Sequence, residues 1–159
     1  MHPLSGLDHV CAMIAVGLWA AQMGGRSVWA VPFTFVSVMA LGSALPMMGV
    51  DLPFVEQGIA LSVLMLGMLI AALVRLPLWL GVSLVGLFAL WHGHAHGAEM
   101  SGSTATMTYL FGFMLSMALL HVVGIIFGLC LQWLEGGHKR IVQGVGASIA
   151  LYGAYLVIS

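Results

Sequence analysis

The chain has 159 residues, of which 62% are hydrophobic and only 6% charged, with a mean hydropathy of +1.12, whereas soluble globular domains carry about a quarter charged residues. A soluble globule is thereby excluded, and the chain reads as an all-α, polytopic integral membrane protein. Four Lys and Arg against five Asp and Glu leave no basic patch, so nucleic-acid binding has no support.

Because the hydrocarbon core of a bilayer is about 30 Å thick, an apolar segment of about 17 to 25 residues counts as a span. Six are predicted, at 7–23, 28–50, 54–74, 76–92, 106–133 and 141–158. The long uninterrupted apolar runs exclude barrel strands. Short loops predict a compact bundle of antiparallel neighbours forming a single transmembrane domain over 1–159.

The first span is preceded by His2, Pro3 and Ser5 and opens with Asp8 and His9. Pro3 ends any earlier helix, and Ser5 or Asp8 can cap the first turn. Asp8 has two further readings: it holds the His9 imidazole in one tautomer, or it is itself a metal ligand. No basic region precedes this span, as is the case once a signal peptide has been cleaved. The second span contains Pro32 and Pro46, which predict kinks. The third begins with Glu56 and offers Gly58 and Gly67 for close helix approach.

The fourth span ends in the chain's most informative stretch, Trp91-His-Gly-His-Ala-His-Gly-Ala-Glu99. On a helix, at 100° per residue, His92, His96 and Glu99 share one face, and His94 points elsewhere. If Gly93 and Gly97 open the backbone instead, alternation aligns His92, His94 and His96. Either geometry clusters imidazoles. Neutral imidazole nitrogens beside a carboxylate suit nickel, cobalt, zinc or copper rather than calcium or magnesium. The small residues between them predict close approach of another helix or of an ion.

The fifth span places His121 about midway, with Met117 and Met114 four and seven residues earlier on its face. An imidazole at that depth either hydrogen-bonds a neighbouring helix or serves as an inner waypoint for an ion. The sixth span carries Gly144, Gly146 and Gly153, and His138 lies in the turn before it with Lys139 and Arg140. All four basic residues (Arg26, Arg75, Lys139, Arg140) fall in the odd loops, while Asp51, Glu56 and Glu99 fall in or beside the even ones. By the positive-inside rule the odd loops are cytoplasmic and both termini lie outside. Cys11 and Cys130 then sit near opposite membrane faces, and no disulfide is expected between them.

The stretches His2-Pro-Leu-Ser-Gly-Leu-Asp-His9 and Trp91-His-Gly-His-Ala-His-Gly-Ala-Glu99 resemble the two motifs of the HupE/UreJ family of nickel/cobalt transporters. The hydropathy profile fits that family over nearly the whole chain. Two departures stand out: Trp91 occupies a position where the family has Phe, and the chain begins inside the first motif, ahead of which relatives carry further residues. The resemblance implies that His2, Asp8, His9, His92, His96 and Glu99 handle metal, with Glu56 and His121 also implicated.

The function expected on these grounds is a permease of the bacterial inner membrane that takes up Ni²⁺, or Co²⁺, for metalloenzyme maturation. Its partners would be the transported ion and the lipid bilayer, with a homo-oligomer or a metallochaperone left open. No cofactor is expected, and with no P-loop in the sequence neither is ATP hydrolysis by this chain. Two other readings stay open at this stage: a membrane-bound metalloenzyme with a His/carboxylate centre, and a haem-binding anchor.

Overall fold

In the computed structural model, which describes residues 6–100, 106–133 and 138–159, the chain forms six helices. They are α1 (Leu7–Met23), α2 (Ser27–Met47), α3 (Val55–Ala71), α4 (Leu78–Met100), α5 (Thr106–Gln132) and α6 (His138–Ile158). His2, Pro3 and Ser5 lie outside the described residues.

Apolar runs become helices here because a helix satisfies its own backbone groups, which hydrocarbon cannot do. The breaks come where the sequence supplies them. Gly24 and Gly25 take the left-handed φ values of 74° and 55° that end α1, Gly49 follows α2 with φ 76°, and Pro77 precedes α4. Pro32 sits inside α2 and does not divide it, and Pro46 falls in its last turn.

The largest boundary difference concerns α4, which does not stop at His92 but runs on to Met100. The His92–Glu99 stretch is therefore helical throughout, and the extended alternative across Gly93 and Gly97 does not hold. His138 opens α6 instead of lying in the preceding turn.

Four helices are long and apolar enough to cross a membrane: α2, α4, α5 and α6. The other two expected spans, α1 and α3, have 17 residues each, about 25 Å at 1.5 Å per residue. Part of each is buried in the bundle. Trp19, Val16, Leu18 and Met13 of α1, and Leu66, Val63 and Ile70 of α3, are fully enclosed by other helices. The outward faces of the longer helices carry Trp29, Phe33, Phe111, Leu119, Ile126 and Leu151.

The closest packing joins α1 to α5, α2 to α4 and α3 to α6. None of these pairs is consecutive in the chain, which departs from the expectation of sequential antiparallel neighbours. Glycine decides the pairing. Between apolar helices in lipid, association rests on van der Waals contact, and small residues let backbones meet. A Cβ on Gly17 of α1 would run into the His121 carbonyl of α5, and one on Gly124 into the Ile14 carbonyl. A Cβ on Gly93 of α4 would meet the Met39 carbonyl of α2, and one on Gly97 that of Ser43. Gly146 and Gly153 of α6 pack in the same way on Ala71 and Leu64 of α3.

These contacts also fix direction. The α1–α5 and α2–α4 contacts climb together along both helices, so those pairs are parallel, whereas Ala71 opposite Gly146 and Leu64 opposite Gly153 make α3 and α6 antiparallel. Each helix thus reverses the direction of the one before it. The starts of α1, α3 and α5 and the end of α4 lie at one end of the bundle; Arg26, Arg75, Lys139 and Arg140 lie at the other.

The helix pairing yields a stability test. Gly93→Ala forces a methyl group into the α2 backbone and should lower stability by about 1–3 kcal/mol, the usual range for overpacking. Gly144→Ala, with nothing within 4 Å of the added carbon, should be neutral. Unfolding midpoints of the two purified variants in detergent check this, and equal midpoints would remove glycine packing as the basis of the α2–α4 pair.

Candidate metal centre

Three imidazoles meet at the end of the bundle where α1 starts and α4 ends. His9, in the first turn of α1, has its ring 4.7 Å from that of His92 and 4.4 Å from that of His96, in edge-to-face arrangement. His92 and His96, four residues apart on α4, share a face as helical geometry requires. All three are buried. On the far side of His96 the ring of Phe113 from α5 packs at 3.9 Å.

A fourth imidazole lies deeper. His121 of α5 is 1% exposed, and the ring of Phe35 from α2 stands between it and the cluster, 5.4 Å from His92 and 5.3 Å from His121. Met117 is buried on the same helix and Met114 half-buried.

Buried polar atoms are normally hydrogen-bonded, and here several are not. Among the described residues His9 Nε2, His92 Nδ1 and both ring nitrogens of His96 and His121 are buried without a hydrogen-bond partner. His121 therefore lacks the interhelical hydrogen bond that a packing role would give it. The rings meet edge to face rather than aiming at one point: among the described residues no three His, Cys, Asp or Glu side chains stand ready to hold an ion. Coordination requires the rings to turn about their side-chain torsions.

The carboxylates behave differently from one another. Asp8 does not cap α1 with its side chain, since the cap position is Gly6 and carries no side-chain bond. Its Oδ1 instead accepts from the His9 backbone N–H at 2.7 Å and from His9 Nδ1 at 3.0 Å. In the neutral ring that bond places the His9 hydrogen on Nδ1, and Nε2 is buried without a hydrogen-bond partner. Glu99 is exposed, its Oε2 3.6 Å from His96 Nδ1, in ion-pair range but beyond a hydrogen bond. Glu56 lies exposed in the first turn of α3.

His94 stands apart, as expected for a helical stretch. Its Nε2 accepts from the Leu52 amide at 3.1 Å and lies 3.2 Å from the Val50 carbonyl, so it ties the α2–α3 loop to α4. Two residues that touch the cluster were not singled out from the sequence. Phe35 reads as one apolar residue among many, and Ser62, whose Oγ lies 2.9 Å from His92 Nε2, reads as a small residue in a span. Neither residue type carries a signal until the helices are packed.

In the other half of the bundle a cavity of about 470 Å³ is lined by Gln22, Arg75, Gln132 and Lys139 among others. Among the described residues its lining carries no imidazole, thiol or carboxylate.

The described residues thus form a helical bundle of apolar membrane-crossing length with imidazoles gathered at one end of its interior. Residues 1–156 match the family described as HupE / UreJ protein. The chain is 44% identical over 157 residues to Protein HupE of Rhizobium leguminosarum bv. viciae, an alignment covering 99% of this chain and 81% of that one. The chain belongs to the HupE/UreJ family. No solved structure matches it.

The role found for His94 can be checked without metal. His94→Ala removes the acceptor of the Leu52 amide, which should cost about 1 kcal/mol and accelerate hydrogen exchange at that amide. Unchanged exchange would mean that His94 does not hold the loop.

Proposed function

We propose that this protein is a permease that takes up divalent transition-metal ions, nickel first and cobalt second, rather than an enzyme. The observation that carries the proposal is the set of buried imidazole nitrogens without hydrogen-bond partners at one end of the bundle. Leaving such an atom unpaired costs about 1–3 kcal/mol, a penalty that a bound cation relieves. The HupE/UreJ family is associated with nickel and cobalt transport, and imidazole with carboxylate is a donor set suited to these ions.

In this reading all six helices cross the inner membrane, with both termini and the histidine end outside. The strict reversal of direction from helix to helix supports the six crossings, and the gathering of Arg26, Arg75, Lys139 and Arg140 at the opposite end supports the orientation. The ion sheds part of its hydration shell at Asp8, His9, His92, His96 and Glu99, with Glu56 at the same end of the bundle. His2, seven residues ahead of His9, belongs to this outer set by its motif. From His92 the ion passes Phe35 to His121, where one imidazole with Met117 and Met114 nearby on its helix binds it more loosely and lets it move on. Delivery to metalloenzyme maturation in the cytoplasm follows.

Uptake into proteoliposomes, compared across Ni²⁺, Co²⁺, Zn²⁺ and Cu⁺, tests the assignment. Asp8→Asn, His9→Ala, His92→Ala and His96→Ala should each lower Ni²⁺ uptake about tenfold or more, while His121→Gln keeps outer binding and slows transport. Parent-like uptake in the first four refutes the site, and parent-like transport by His121→Gln refutes the inner waypoint. For orientation, a cysteine placed by Asp51→Cys should react with an impermeant reagent outside cells, and one placed by Lys139→Cys should not; the reverse pattern inverts the topology.

A further inference from the structure

We infer that Ser62 of α3 is a positioning residue of the metal site, fixing His92 in the Nε2–H tautomer so that the ring presents Nδ1 as its donor atom. The inference rests on the reading of the histidine cluster as the transport site.

The argument is one of hydrogen count. Ser62 Oγ lies 2.7 Å from the Ile59 carbonyl oxygen, one turn back on its own helix, and 2.9 Å from His92 Nε2. A hydroxyl has one hydrogen, and a carbonyl oxygen has none to give. The shorter contact therefore takes the Ser62 hydrogen, and the second contact requires one from His92 Nε2. A neutral imidazole carries a single N–H, which leaves Nδ1 with its lone pair. That nitrogen is buried and has no hydrogen-bond partner.

Both groups are fully enclosed, Ser62 and His92 each being 0% exposed, so water does not compete for either bond. The approach is set by Gly58, four residues before Ser62 on the same face of α3. A Cβ there would enter the ring of Trp91, the residue next to His92. The missing side chain lets α4 come near enough for one short hydroxyl to reach the imidazole. His9 is fixed in the opposite sense: Asp8 holds its Nδ1, which frees Nε2. Two adjacent rings thus present different nitrogens, each chosen by a neighbouring side chain. Orienting partners of this kind are worth about 10–100-fold in metal affinity.

The experiment uses the full chain in lipid nanodiscs, with ¹⁵N-labelled histidine resonances assigned through His92→Ala, and Ni²⁺ titration as the second readout. In the parent the His92 Nδ1 resonance should be that of a bare ring nitrogen. Ser62→Ala should mix the two tautomers and weaken Ni²⁺ binding about tenfold or more, and Ser62→Thr, which keeps the hydroxyl, should restore both. A parent protein whose His92 carries its hydrogen on Nδ1 overturns the inference without any variant at Ser62. So does parent-like affinity in Ser62→Ala when His92→Ala has lost binding. Parent-like affinity in His92→Ala overturns instead the reading of the cluster on which the inference stands.

Discussion

The close approach of α1 to α5 is the contact on which the rest of this bundle depends. With lipid as apolar as the helix faces, no hydrophobic gain drives helices together, and the pair is held by the close backbone approach at Gly17 and Gly124 and by the Gln132 amide donating to the Ala21 carbonyl. The atom that Gly17 packs against is the carbonyl of His121 itself. One contact therefore holds the central helix in place and fixes the depth of the inner imidazole. By fixing α1 it also sets the height of His9 against α4.

A second economy appears in α4. Along its last turns the histidines and glycines alternate in register with the helix: His92 and His96 face the interior, while Gly93 and Gly97, each one residue on, face α2. The residues between the histidines are thus the means by which α4 docks. Met39 and Ser43 of α2 receive them, and the same docking carries Phe35 of α2 to its place between His92 and His121. Altering the glycines would move the imidazoles without touching them.

Buried imidazoles in an apolar bundle are a burden unless something pairs with them. Here the pairing is divided. One nitrogen of His9 is taken by Asp8, one of His92 by Ser62, and the other nitrogen of each is left bare. His94 shows the contrast, because its Nε2 accepts from the Leu52 amide and so ties the α2–α3 loop to α4. The imidazole cluster lies where α1 begins, and Arg75 and Lys139 stand beside Gln22 and Gln132 at the far cavity.

The amino-acid sequence alone determined the class and the number of elements, because an apolar run of this length with so few charges has one way to satisfy its backbone in hydrocarbon. It also placed the two motifs, but left His94 either apart from His92 and His96 on a helix or in line with them on an opened backbone, and only the helical course of α4 decided between the two. Which helices touch was not legible. Gly17, Gly67, Gly93 and Gly146 look alike as letters, and only the fold shows which carbonyl or backbone nitrogen lies opposite each one, joining helices that are distant in the chain. For the same reason the end of α4 at Met100, the partial burial of α1 and α3, and the parts taken by Phe35 and Ser62 belong to the tertiary structure. A phenylalanine or a serine becomes specific only through the imidazole that packing brings against it.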